Sequence, residues 1–212
     1  MTGGRVPWLP RVYPLTDVRL AGLAHARIVA ELQAAGARLV QIRDKRLGAG
    51  QLCEAVRAAR RVPDVRLIVN DRLDVALAAG ADGVHLGDRD LPVAAARRLA
   101  GEAFVIGVSS HSVEQALRAQ EEDCDYVALG PVYATATKTD ARPAVGLDAI
   151  RRVSRRKAKP LVAIGGITLT TARDVLDAGA DTLAVVSAVM VEGEIGRRFR
   201  ELVASLSDST KR

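Results

Sequence analysis

ALAAGADGVHL, residues 76–86, combines the end of an Ala- and Leu-rich helix, a glycine, and a short apolar run that is typical of a β-strand. The same pattern occurs as LQAAGA before LVQI at 32–42 and as VLDAGAD before LAVV at 175–186. A degenerate copy, EEDCD before YVAL, occupies 121–129. In each clear copy the glycine stands where helices commonly end in the left-handed conformation. A helix–strand unit that repeats along a chain predicts parallel strands joined by helices.

Apolar runs predict eight strands, which lie near residues 12–15, 39–42, 66–69, 84–86, 104–108, 126–129, 161–164 and 183–186. Helical patterns lie at about 25–54, an interval that contains the second strand, and at about 72–79, 92–100, 112–121, 147–157, 170–178 and 193–207. The strands are continuously apolar rather than alternating, as expected when both faces are buried. We therefore predict an α/β fold, a single (β/α)8 TIM barrel over residues 1–212 with its core at about 12–207. A doubly wound open sheet is the alternative.

Composition and charge limit the classes of partner. The 212 residues are 49% hydrophobic, 26% charged and 3% aromatic, with a net charge of +6. Most basic clusters, such as Arg97-Arg98 and Arg155-Arg156-Lys157, have the spacing of solvated helix faces. Few aromatic residues are present to stack on bases, so we expect no nucleic acid partner.

The cysteines and the hydropathy pattern indicate a cytoplasmic protein. Cys53 and Cys124 belong to no CxxC pair, and we expect both to be reduced. No apolar stretch of the kind found in secretory signals follows the N-terminal residues. No run approaches the roughly 18 apolar residues that span a bilayer, so we expect no membrane partner.

Two acidic residues follow neighbouring predicted strands. Asp71 comes after the third strand and Asp90 after the fourth, with Asp88 as a third acid nearby. In a parallel barrel all strands end at one face, so Asp71 and Asp90 are expected to hold Mg²⁺ between them. The alternative is that each carboxylate caps the helix that follows it.

Cations and glycines also follow predicted strands. Arg43, Lys45 and Lys138 stand after the second and sixth strands, where they can pair with a diphosphate. Gly165-Gly166 follows the seventh strand and Ser187 the eighth. Barrels often bind a phosphate with these last two loops, because glycine lets backbone N–H groups approach its oxygens.

Two histidines have different expected roles. His85 lies within the fourth strand, which favours a hydrogen-bonded core residue over a catalytic one. His111 follows the fifth strand, just before a helix for which Ser112 is the candidate N-cap. Proton transfer and packing at the helix start are equally good interpretations of His111.

Taken together, the motifs resemble those of the thiamine phosphate synthase family over about residues 12 to 190. No one motif is specific, but their order and spacing jointly are. The matching segments are Thr16-Asp17, Gln41 to Lys45, Val69 to Arg72, Asp82 to Gly87, Asp90, Gly107-Val108-Ser109, Gly130 to Tyr133, Thr135 to Lys138, Ile164 to Ile167 and Val186-Ser187.

The resemblance implies a TIM-barrel transferase that joins a hydroxymethylpyrimidine diphosphate to a thiazole phosphate, forming thiamine phosphate and pyrophosphate. It implies a dissociative mechanism, in which the bond to pyrophosphate breaks before the thiazole nitrogen attacks. It also implies that Mg²⁺ is held by Asp71 and Asp90. The implied catalytic residues are Arg43, Lys45, Ser109 and Lys138. The implied substrate-binding residues are Gln41, Ile42, Arg43, Asp44, Lys45, Asn70, Ser109, Thr135, Ala136, Thr137, Lys138, Gly166, Val186 and Ser187.

Other functions compete with this reading. The related thiazole tautomerase has the same fold, and His111 would be its proton-transfer residue. The synthase is favoured by the joint presence of five residues: Asn70, Asp71, Asp90, Ser109 and Lys138. A non-catalytic barrel that binds a phosphate ligand is a rival of another class, and a shared fold does not by itself fix function. The resemblance also suggests a homodimer.

Overall fold

The computed structural model describes residue 6 and residues 8–135 and 143–207. Its eight strands are β1 Val12–Pro14, β2 Leu39–Ile42, β3 Arg66–Asn70, β4 Gly83–Leu86, β5 Val105–Ser110, β6 Tyr126–Leu129, β7 Leu161–Ile164 and β8 Thr182–Val185. The helices are α1 Val18–Ala21, α2 His25–Ala34, α3 Ala49–Ala59, α4 Leu73–Ala78, α5 Val93–Ala100, α6 Val113–Ala119, α7 Gly146–Ser154, α8 Ala172–Asp177 and α9 Ile195–Ser207. Among the described residues, none of these helices is long and apolar enough to cross a membrane.

The strands form one parallel sheet that curls into a barrel. Their order is β1-β8-β7-β6-β5-β4-β3-β2, so β1 and β2 stand at the two ends. These ends meet through a bridge between Leu15 and Gln41, where the Thr16 N–H donates to the Gln41 carbonyl at 2.9 Å. The prediction of a (β/α)8 barrel is confirmed, and the open-sheet alternative is wrong because the two end strands are joined.

Two layers of buried side chains hold the barrel together. The inner layer takes residues from nearly every strand, including Tyr13, Ile68, Tyr126 and Val162. Side chains from so many strands can meet only inside the barrel, since neighbouring strand residues point to opposite faces. The outer layer is larger and lies between strands and helices. With so few aromatic residues, both layers are mainly aliphatic.

The repeated glycine and aspartate have separate structural roles. Gly80, in the segment 76–86, has φ 69, the left-handed conformation predicted for it. In three copies of the repeat, an aspartate precedes the strand and its side chain hydrogen-bonds to the adjacent strand. Each carboxylate accepts from a strand N–H and pairs with a cation: Asp82 with Leu67 N (2.8 Å) and Arg60 (3.0 Å), Asp125 with Ile106 N (2.7 Å) and Arg97 (2.8 Å), Asp181 with Leu161 N (2.7 Å) and Lys157 (2.6 Å).

The structure corrects two expectations. Arg97 is not on a solvated helix face: its side chain is 6% exposed and pairs with Asp125. The interval predicted at 25–54 contains β2 as expected, between α2 and α3, but α3 continues beyond the predicted limit to Ala59. Cys53 and Cys124 are unpaired, as predicted.

Candidate active site

A cavity of about 200 Å³ opens at the carboxyl end of the barrel. Residues at or just after the ends of all eight strands converge on it, as the topology requires. The predicted site residues that line it are Arg43, Lys45, Asn70, Asp71, Asp90, Ser109, Thr135, Gly166, Val186 and Ser187. Ala136, Thr137 and Lys138 lie outside the described residues. The cavity is also lined by Asp88, Arg89, His111, Pro131 and Ile164, of which only Asp88 and His111 were singled out individually from the sequence.

Asp71 and Asp90 lie side by side in this cavity. Asp71 has φ 64, a left-handed conformation that Asp adopts more readily than most residues. Burial raises the pKa of the Asp90 carboxyl, and the adjacent, hydrogen-bonded Asp71 carboxyl raises it further. Opposing these effects, Asp90 Oδ2 accepts a hydrogen bond from the Gly87 N–H at 2.6 Å. Two acids held this close favour either a shared proton or a bound cation.

Neither carboxylate acts as a helix cap. Helix α4 has Arg72 at its N-cap position and α5 has Pro92, and neither end has a side-chain capping bond. Asp71 instead pairs with Lys45, whose Nζ lies 3.5 Å from Asp71 Oδ2. The alternative interpretation of these acids as caps is therefore wrong.

The donor set fits Mg²⁺ better than it fits a softer metal. Among residues 8–135 and 143–207, no three His, Cys, Asp or Glu side chains are grouped to hold a metal. Mg²⁺ commonly takes one or two carboxylates and completes its octahedron with water and substrate phosphate oxygens. A pair of adjacent carboxylates beside an open cavity provides such a site. A structural zinc site would need about four nitrogen or sulfur ligands.

The end of β2 and the residues after it point their side chains in different directions. Arg43 and Lys45 line the cavity, whereas Gln41, Ile42 and Asp44 do not. Gln41 lies inside the barrel, and its Nε2 donates to Tyr13 Oη at 3.1 Å. Ile42 is fully buried in the outer layer. The expected contacts of Gln41, Ile42 and Asp44 with substrate stay predictions.

A buried histidine supports this segment. His25 Nδ1 lies 2.8 Å from Thr16 Oγ1, which also accepts from the Arg43 N–H at 3.2 Å. The other ring nitrogen, Nε2, is 3.6 Å from Asp44 Oδ2. Burial lowers the pKa of His25, and the Asp44 charge only partly offsets this. His25 was missed from the sequence, because its partners come from two other loops.

Ser109, near the end of β5, and His111, just after it, both line the cavity. Ser109 Oγ lies 2.9 Å from His85 Nε2, and His85 Nδ1 lies 3.0 Å from Tyr126 Oη. The prediction that His85 is a hydrogen-bonded core residue is confirmed. His111 Nδ1 is 2.7 Å from the Gly130 carbonyl oxygen, so Nδ1 carries the proton of this bond. Ser112 caps α6 as predicted, accepting from the Gln115 N–H at 3.2 Å.

The opposite wall of the cavity is built around a close backbone approach. Gly166 has φ 66, and a Cβ there would lie 2.7 Å from both the Ala134 carbonyl oxygen and Tyr133 Cβ. Val186 and Ser187, which follow β8, complete this wall. In the closed strand order, β7 and β8 lie across the barrel from β3 and β4, which the two carboxylates follow. The two walls therefore differ in charge and chemistry.

A sequence model of the family described as "Thiamine monophosphate synthase" matches residues 12–189, which is most of the chain. The chain belongs to the thiamine monophosphate synthase family. The matched span covers all eight strands and every described residue that lines the cavity.

Individual members of the thiamine monophosphate synthase family are similar to this chain over nearly its full length. A thiamine-phosphate synthase of Methanospirillum hungatei is 49% identical over 91% of this chain and 97% of its own. One from Chloroflexus aurantiacus is 44% identical over 95% of this chain and 94% of its own. A solved thiamine phosphate pyrophosphorylase from Pyrococcus furiosus superposes with a TM-score of 0.84 at 37% identity, covering 92% of this chain and 95% of that one.

Proposed function

We propose that this protein is a thiamine phosphate synthase. It is a transferase that joins a hydroxymethylpyrimidine diphosphate to a thiazole phosphate and releases pyrophosphate. The observation that carries the proposal is that one cavity has two walls of different chemistry. One wall has the carboxylate pair with Arg43, Lys45 and Ser109, and the other has Gly166 and Ser187. Two phosphorylated substrates need two such walls that face each other.

The first wall suits a diphosphate that departs. Asp71 and Asp90 would hold Mg²⁺, which when bound supplies positive charge to the diphosphate oxygens. Arg43 offers a planar fork and Lys45 a point charge to the same anion. Lys138, implied by the resemblance, would add a third cation, and Lys138→Ala is expected to slow pyrophosphate release. These groups stabilise charge that grows as the bond to pyrophosphate breaks.

The second wall suits the thiazole phosphate. Glycine at 166 lets a phosphate approach the backbone closely, and Ser187 adds a hydroxyl beside it. Thr135 also lines the cavity, and Ala136 and Thr137 follow it. A thiazole held there would present its ring nitrogen to the pyrimidine carbon. The C–O bond electrons leave with pyrophosphate, and the nitrogen lone pair forms the new C–N bond.

The direct test is an assay with both substrates and Mg²⁺, in which thiamine phosphate is detected after oxidation to fluorescent thiochrome. We expect product only when both substrates and the metal are present. A folded protein that forms no product with either the aromatic or the carboxylated thiazole would overturn the proposal. Binding of both substrates without turnover would favour the non-catalytic barrel.

His111 keeps one other activity testable. Its Nδ1 proton is directed to the Gly130 carbonyl, which favours Nε2 as the basic nitrogen of a residue that lines the cavity. A thiazole tautomerase needs a base in that place. Incubation with the non-aromatic carboxylated thiazole alone, followed by NMR, would reveal isomerisation. We expect no isomerisation at a rate comparable to that of the coupling reaction.

The homodimer and the cytoplasmic location remain predictions.

A further inference from the structure

A continuous chain of side-chain hydrogen bonds crosses the barrel interior. Gln41 Nε2 donates to Tyr13 Oη at 3.1 Å, and Tyr13 Oη lies 3.3 Å from Tyr126 Oη. Tyr126 Oη is 3.0 Å from His85 Nδ1, and His85 Nε2 is 2.9 Å from Ser109 Oγ. The chain therefore starts at β2 and ends on the cavity wall at β5.

The side chains in this chain of hydrogen bonds are buried, so the direction of each hydrogen bond affects stability. The exposed fractions are 2% for Gln41, 1% for Tyr13, 0% for Tyr126 and 7% for His85. Burial also raises the pKa of both tyrosines, so both hydroxyls keep their protons. Each of those protons needs an acceptor, because a buried donor without one is costly.

Counting donors and acceptors selects one direction for the chain. Tyr13 Oη accepts from the Gln41 amide, so the Tyr13 hydroxyl donates its hydrogen bond to Tyr126 Oη. The Tyr126 hydroxyl then donates to His85 Nδ1, and His85 Nε2–H donates to Ser109 Oγ. The reverse order would leave the Tyr13 proton with no acceptor among the described residues. In the part of the chain that the structure describes, Tyr13 Oη has two hydrogen-bonding neighbours, the Gln41 NH₂ group and Tyr126 Oη, and both would be donors in the reverse order.

Rotation of the Gln41 amide does not rescue the reverse order. The Gln41 Oε1 atom is buried and has no hydrogen-bond partner among the described residues. Exchanging the two amide ends would place an NH₂ group there. A buried N–H without an acceptor is rarer in proteins than a carbonyl oxygen that lacks a donor. The orientation with Nε2 on Tyr13 is therefore the favoured one.

We propose that this chain of hydrogen bonds fixes His85 as the neutral Nε2–H tautomer. The Ser109 hydroxyl is then free to donate a hydrogen bond to an anionic oxygen in the cavity. In the opposite order, Ser109 would donate to His85 and turn only lone pairs toward the anion. His85, Tyr126 and Tyr13 are then positioning residues that never touch the ligand. That the anion is the departing pyrophosphate rests on the proposed function.

Histidine NMR on ligand-free protein tests the tautomer directly. The sequence has three histidines, so single-residue variants assign their ring signals. Long-range ¹H–¹⁵N correlation is expected to show His85 with Nε2 protonated and Nδ1 unprotonated. Tyr126→Phe should remove the preference for this tautomer. A wild-type His85 protonated at Nδ1 alone would overturn the proposal, whether or not the protein makes thiamine phosphate.

Pyrophosphate binding tests the consequence for the cavity. Titration calorimetry with inorganic pyrophosphate and Mg²⁺ should show affinity about tenfold weaker in Ser109→Ala and in Tyr126→Phe. Tyr126→Phe should add little to Ser109→Ala, because both remove the same interaction. Ser110→Ala is the matched control, since Ser110 Oγ donates to the Ala128 carbonyl at 2.7 Å and is buried.

The two measurements separate this proposal from the proposed function. Unchanged pyrophosphate affinity in Tyr126→Phe, or equal losses in Ser109→Ala and Ser110→Ala, would contradict the role given to the chain. If the protein shows the predicted tautomer and pyrophosphate binding but forms no thiamine phosphate, the role of the hydrogen bonds is supported and the synthase function is contradicted.

Discussion

Lys45 Nζ lies 3.5 Å from Asp71 Oδ2, although the two residues follow different strands. The Lys45 side chain is 61% exposed and that of Asp71 is 27% exposed, so this ion pair contributes little to stability. The ion pair instead positions a cation beside the carboxylates at the edge of the cavity. Under the proposed function, Lys45 would turn from Asp71 to the diphosphate when it binds.

Lys45→Met should lower kcat/KM by about 10- to 100-fold, the loss expected when one hydrogen bond to a charged group is removed. The melting temperature should hardly change, because the pair is exposed. Arg38→Met is the matched control, since Arg38 is exposed and lies just before the opposite end of the same strand. Equal losses of activity in the two variants would contradict a local role for Lys45.

Asp90→Asn should raise the melting temperature at neutral pH when no metal is present. The pKa of Asp90 is raised in the folded protein, so its ionised form costs stability above that pKa. The amide removes this charge next to Asp71 and keeps an acceptor for Gly87. In thermal denaturation, added Mg²⁺ should stabilise the wild-type protein but not the variant.

The control for this experiment is Asp64→Asn, which removes an exposed charge and keeps a left-handed residue, as Asp64 has φ 56. It should leave the response to Mg²⁺ intact. A full Mg²⁺ response in Asp90→Asn would show that the carboxylate pair is not the metal site.

Gly166→Ala should raise the KM for the thiazole phosphate. Alanine at φ 66 is strained, and its Cβ would meet the Ala134 carbonyl and Tyr133 Cβ at 2.7 Å. Gly80→Ala has nearly the same φ, 69, but no atom within 4 Å of the added Cβ. Both variants should lose about 1–2 kcal/mol of stability through the backbone. Steady-state kinetics should change only in Gly166→Ala, and a similar change in Gly80→Ala would assign the effect to strain alone.

His25 should make the fold sensitive to mild acid. Burial lowers the pKa of His25 below its unfolded value of about 6.5. The unfolded chain therefore binds more protons between these two values, and stability is lost as the pH falls below about 6.5. Urea denaturation at pH 7.5 and 5.5 should show a smaller difference for His25→Gln than for the wild-type protein. Identical pH dependence in both would rule out this contribution.

Local patterns were enough to predict the barrel and the convergence of its loops. Short apolar runs separated by helices specify parallel strands, and parallel strands of a barrel end at one face. Asp71 and Asp90 could therefore be placed together although they are distant in sequence. The left-handed conformation of Gly80 could be predicted because helices commonly end in a residue of that conformation.

Tertiary contacts explain what the sequence did not reveal. Arg97 has the spacing of a surface residue, yet Asp125 from a distant turn draws it into a buried pair. The role of His25 depends on Thr16 and Asp44, which only the folded chain brings together. A continuously apolar strand also hides which residues face inward, so Ile42 could not be assigned to the outer layer beforehand.

The most direct test is to quantify thiamine phosphate and pyrophosphate in the same reaction, with both substrates and with each one alone. The account predicts equal amounts of the two products, dependence on Mg²⁺ and on both substrates, and severe loss in Asp71→Asn. Pyrophosphate released without thiamine phosphate, or no product from folded protein, would contradict it.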